Sequence, residues 1–89
     1  KKNITPLEGS LEKILKLSGY SYNWKSTGRT DIGVIAQEVE WVYPDLVHTD
    51  AKWVKSVEYA NLVAPLIEAI KEQQKEIDAL KSEVANLKK

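Results

Sequence analysis

The closing stretch of the chain constrains its fold more than any other feature. From Tyr59 onward the sequence reads as helix, and its apolar residues hold a heptad register to the end. Val63, Ile70, Ile77 and Val84 fall at position a, and Tyr59, Leu66, Gln73, Leu80 and Leu87 at position d. Every a residue is β-branched. Glu76 and Glu83 occupy g, with Lys81 and Lys88 at the following e, which is the spacing of interhelical ion pairs in a parallel bundle. Exposed pairs of this kind contribute only tenths of a kcal/mol each, so they select orientation. The apolar seam supplies the main term, at about 25 cal/mol per Å² removed from water. Gln73 puts an amide into that seam, at a cost in stability but with a gain in register. Pro65 removes a backbone donor in the first turns, so either the helix kinks there or the straight coil begins just after it. Leu62 and Ile67 widen the apolar face near Pro65, which predicts packing against the rest of the chain as well as against partner helices. β-branched a with Leu at d leans to two strands, while the wide upper face and Gln73 keep three open.

Ahead of the helix the signals are short. Residues 1–6 are polar and end at Pro6. Leu7, Leu11, Ile14, Leu15 and Leu17 then follow helical spacing, with Glu8 suited to the helix start and Gly19 to its stop. Tyr20, Tyr22 and Trp24 alternate with polar residues, as in a strand with an aromatic face. A turn is expected around Gly28. Ile32 to Ile35 can end a strand or begin a helix, and from Ala36 the spacing of Val39, Val42 and Tyr43 predicts a short helix that Pro44 terminates. Residues 46–50 and 53–57 read as a strand pair turning at Asp50 and Ala51, with either Trp53, Lys55 and Val57 or Val54 and Ser56 facing inward. The expected fold is α+β: a small globular region with short helices and short antiparallel strands over residues 1–58, then a C-terminal coiled-coil helix over residues 59–89.

A chain of 89 residues makes one small domain and buries a modest share of its surface, so partner chains are a natural source of further burial. The absence of cysteine removes disulfides and thiolate chemistry, and a lone histidine, His48, argues against a zinc cluster. Thirteen basic residues against thirteen acidic ones make nucleic acid a poor partner, and no apolar run is long enough for a membrane. No cofactor or metal is expected. The chain opens at Lys1, which reads as a fragment, a processed product or a trimmed chain. Lys1 and Lys2 can act as a general base only if desolvated. Gln37, Glu38 and Glu40 form a polar patch better read as structural than as acid–base machinery, and the tyrosines and tryptophans are better read as packing than as a sugar platform.

Three stretches together carry a family resemblance: KKNITPLE at 1–8, DIGVIAQEVEWVYPDLV at 31–47 and VEYANLVAPLIEAIKEQQKEIDAL at 57–80. They resemble the intramolecular chaperone auto-processing domain, or peptidase S74 domain, found at the C-terminus of bacteriophage tail spikes, tail fibres and neck appendages. GVIAQEVE with the following P-D-L-V step is the specific part; the heptad tail could come from any coiled coil. The resemblance implies a parallel homotrimer that holds an upstream β-rich fibre or spike of the same polypeptide in register, in the host cytoplasm during phage assembly. It also implies release by self-cleavage, with a serine nucleophile and a lysine base. Lys1 matches that lysine, and the serine would lie a short step upstream of Lys1. No cleavage is therefore expected of this sequence as it stands. Pro65 departs from the smoother helix the family implies. The alternative is a plain homo-oligomerisation module with neither client nor catalysis.

Overall fold

The computed structural model describes residues 1–88; Lys89, the last residue of the expected coiled-coil segment, lies outside them. Seven elements follow in order: α1 (Ser10–Ile14), β1 (Tyr20–Asn23), β2 (Thr30–Gly33), α2 (Ala36–Val42), β3 (Val47–Thr49), β4 (Lys55–Val57) and α3 (Val63–Leu87). Short 3-10 turns at Pro44–Leu46 and Tyr59–Leu62 join the later ones. The strands form two separate antiparallel ribbons, β1 with β2 and β3 with β4. Two-stranded ribbons are marginal alone, and each of these is tied to α2 by a side chain. The Tyr20 hydroxyl of β1 donates to the Glu38 carboxylate at 3.0 Å, and the Lys55 ammonium of β4 donates to Glu40 at 3.1 Å. The polar patch of α2 is thus a structural bracket.

The first helix is shorter than its apolar spacing predicts. It begins at Ser10, because Gly9 enters at φ 69°, a left-handed conformation suited to glycine, and turns the chain into the helix. Glu8 therefore precedes the helix. The carboxylate at its N-terminus comes instead from Glu72 of α3, which accepts the Leu11 N–H at 2.6 Å. The Ile32 ambiguity resolves as strand: Tyr20 pairs with Gly33 and Asn23 with Thr30. Asn23 closes the turn, its amide donating to the Gly28 carbonyl and the Thr30 hydroxyl. In the second ribbon Val47 pairs with Val57 and Thr49 with Lys55, so Lys55 and Val57 face inward and Ser56 outward. Trp53 belongs to the turn. Its N–H bonds the Asp50 carbonyl, the Asp50 carboxylate accepts from Lys52 and Val54, and Trp53 takes φ 64°. This is the left-handed third position of a bulged hairpin loop, where glycine is the usual occupant.

The core is small. Val39 of α2 is fully buried; Leu62 is buried just ahead of α3, and Ser10 and Ala69 where α1 packs on α3. Pro65 neither kinks α3 nor delays it. It is the third residue of the helix, where an N–H would have no intrahelical acceptor anyway. The Tyr43 hydroxyl sits in the same core with no hydrogen-bond partner among the described residues. Burial raises its pKa above the ordinary 10.0; the Ser10 side chain, near it but outside good bonding geometry, opposes this, and the negative charge of Glu72 adds to it.

Two outcomes test this packing. A Cβ at Gly33 would stand 2.7 Å from the Tyr59 hydroxyl, so Gly33→Ala should cost about 1–3 kcal/mol in thermal unfolding. Adding Tyr59→Phe should recover part of that loss. Tyr43→Phe should be neutral or stabilising by up to about 1 kcal/mol, since it removes an unpaired buried hydroxyl. Because folding raises the Tyr43 pKa, the protein should be fully stable below the unfolded value near 10 and lose stability as pH rises past it. Tyr43→Phe should flatten that alkaline decline in a pH series of melting curves.

Candidate assembly interface

The long helix uses one flank for its own chain. α1 lies along α3 beside Pro65, Ala69 and Glu72, and the chain closes over Leu62, so the buried line runs down the c and g positions. The a and d line is turned elsewhere. Val63, Leu66, Ile70, Ile77, Leu80, Val84 and Leu87 are all exposed, Ile70 at 64% and Leu80 at 59%. Gln73 is exposed among them, while Gln74 beside it donates to Asp78 at 2.9 Å. Ile77, Leu80, Lys81 and Val84 outline a shallow apolar groove of about 310 Å³. Among the described residues, ion pairs join Lys55 with Glu40 and Lys71 with Glu68, and His48 contacts Glu58; Glu76, Lys81, Glu83 and Lys88 take part in none of these. The helix thus presents both apolar seam and flanking charges to the outside.

Tyr59 behaves differently from the other d residues. It lies in the 3-10 turn before α3, and its hydroxyl accepts the Val34 N–H at 3.2 Å. A 3-10 turn advances about 120° per residue against about 100° in an α-helix, so Tyr59 is rotated by about 80° from the line Val63 starts. Glycine at position 33 lets the ring approach this closely. No heptad count shows this, because the count assumes one helix type throughout. The proximity of Glu72 to the α1 N-terminus was equally hidden, since 61 residues separate it from Leu11.

The chain exposes 7693 Å², whereas a compact monomer of 10.1 kDa exposes about 5,300 Å², an excess of roughly 2,400 Å². Its Cα radius of gyration is 17.9 Å against about 12 Å for a compact domain of this length. An excess this large is on the scale that obligate partners bury. Lys1 is exposed and makes no side-chain hydrogen bond or ion pair among the described residues. His48 is held by Glu58 at 3.0 Å, and no cluster of three metal-binding side chains occurs among the described residues. No described helix is long and apolar enough to cross a membrane.

The family model described as the chaperone of endosialidase, peptidase S74, matches residues 1–48. The chain belongs to this family. The matched region carries α1, the β1–β2 ribbon and α2, and it ends at His48, before α3. Two relatives extend the likeness further: the long tail fiber proteins Gp37 of Enterobacteria phages M1 and Ox2. Each is 32% identical over 83 residues, covering 83% of this chain and 33% of the relative. The S74 chain therefore spans about a third of the length of these curated relatives.

In this S74 chain the seam amide can be tested directly. Gln73→Leu should raise the melting temperature if the amide is only tolerated between helices, with unchanged assembly mass. A clear fall in melting temperature would show that the amide makes a network worth more than the apolar contact it displaces.

Proposed function

We propose that this chain is a C-terminal intramolecular chaperone that forms a parallel homotrimer through α3 and holds three copies of an upstream fibre in register. The observation that carries the reading is the exposed, continuous a/d seam on a helix whose other flank is fixed to an S74-family globular region. The relatives being long tail fibre proteins supports a fibre as client. Glu76 and Glu83 would reach Lys81 and Lys88 of a neighbour, which favours parallel chains. Host cytoplasm during virion assembly is the setting this role requires.

The physical gain is kinetic. Intertwined β-rich fibres have high contact order, so their chains fold slowly and expose sticky edges meanwhile. Joining three chains at their ends raises each strand's local concentration of the others. Once folded, the fibre is held by a high unfolding barrier and no longer needs the clamp. Release would follow from a serine upstream of Lys1. Its hydroxyl attacks the preceding carbonyl, the acyl group shifts from nitrogen to oxygen, and water hydrolyses the ester. Lys1 would take the serine proton, which requires an ammonium deprotonated by desolvation. Lys1 is exposed in the single chain, so assembly or the upstream segment must provide that burial.

Sedimentation equilibrium at tens of micromolar should give three times the chain mass, and Ile77→Asp should give one. A stable wild-type monomer or dimer overturns the trimer. When the chain is joined to its serine-bearing upstream segment and client, cleavage should occur just before that serine. Lys1→Ala should abolish cleavage with the trimer intact, and Ile77→Asp should abolish it by dispersing the chains. Normal cleavage in a demonstrably monomeric Ile77→Asp protein would separate chemistry from assembly.

A further inference from the structure

The seam on α3 accounts for only part of the exposed apolar surface. Of nineteen exposed large hydrophobic residues among the described residues, eight lie on α3 and ten precede Tyr59. A bundle of α3 helices alone would leave that larger group in water. Among them, Ile32 is 77% exposed at the centre of the β1–β2 ribbon, which is too small to be stable by itself. Ile32 also lines an almost wholly apolar cleft of about 560 Å³, together with Gly19, Tyr20, Gly33, Val34 and Tyr59.

Tyr59 connects this cleft to the seam. One side of the residue belongs to the turn that runs directly into Val63, and its hydroxyl is fixed to the Val34 N–H across Gly33. The loop that follows the ribbon is thereby tied to the turn that opens α3, and Tyr59 lines the cleft four residues ahead of the first seam residue, Val63. We propose that a second copy of this chain closes the cleft of Tyr20, Ile32, Val34 and Tyr59, so that the interface between copies begins in the β1–β2 ribbon rather than at Val63. This rests on the oligomeric reading above. A second copy is the occupant indicated because Tyr59, which lines the cleft, leads directly into the helix that carries the seam, and because the surface excess of roughly 2,400 Å² per chain is on the scale that copies in an obligate assembly bury.

The chain has no cysteine, so a single introduced thiol reports on one place. Ile32→Cys is made in the wild-type background and together with Ile77→Asp, and reaction with a maleimide probe is timed at a concentration where the wild-type chain is assembled. The thiol should react at least tenfold more slowly in the assembled protein than in the dispersed one. Ile32→Asp should raise the dissociation constant of the assembly at least tenfold in sedimentation equilibrium. Equal thiol reaction rates in assembled and dispersed chains overturn the proposal while leaving assembly through α3 intact. Protection that appears only when the upstream client is attached assigns the cleft to the client and overturns it as well. A wild-type chain that sediments as a monomer removes the oligomeric reading itself, and the proposal with it.

Discussion

Apolar burial within one chain runs out early in this molecule, and the remaining structure is arranged around that shortage. The interior amounts to Val39 and a ring of contacts from Leu62, Ala69, Pro65 and Ser10. Val39 belongs to α2, which packs on β3, β4 and the Pro44–Leu46 turn, and Ser10, Pro65 and Ala69 lie where α1 meets the head of α3. The Glu72 carboxylate fastens this meeting by satisfying the Leu11 N–H, which the short α1 cannot satisfy from its own residues. Beyond that point α3 projects with no further cover from its chain. The division into a folded head and an exposed seam follows from how little core the head can build.

The head works as a platform. Glu38 and Glu40, two residues apart on α2, each reach a different ribbon, and Tyr59 fixes the first ribbon to the start of α3. Three side chains thus orient two marginal ribbons with respect to one long helix. Polar bonds are suited to this because they fix distance and direction, whereas a small apolar core leaves orientation loose.

The strained turn at Trp53 fits less readily. A bulky residue at φ 64° occupies a position where glycine would relax the loop, and the indole is 84% exposed. The Asp50 bonds to Lys52 and Val54 hold the loop in this shape. Among the described residues no aromatic pair, cation–π contact or side-chain hydrogen bond involves the indole.

What the sequence determined by itself was periodic or punctuated. The heptad from Val63 to Leu87, the helix from Ala36 stopped by Pro44, the alternation of Tyr20 and Tyr22, and the strand pair around Asp50 are all local patterns, since a helix or strand repeats its own geometry along the chain. The resemblance to S74 chaperones was also carried by contiguous motifs, GVIAQEVE above all. What only the tertiary structure decided involves residues distant in sequence or a change of helix type. The start of α1 at Ser10 depends on Gly9 and on Glu72 from the far end of the chain. The place of Tyr59 depends on a 3-10 turn that breaks the heptad phase and on a glycine that admits its ring. Pro65 could be read as a kink because sequence shows the missing donor, while only the structure shows that the helix begins two residues earlier and never needed it.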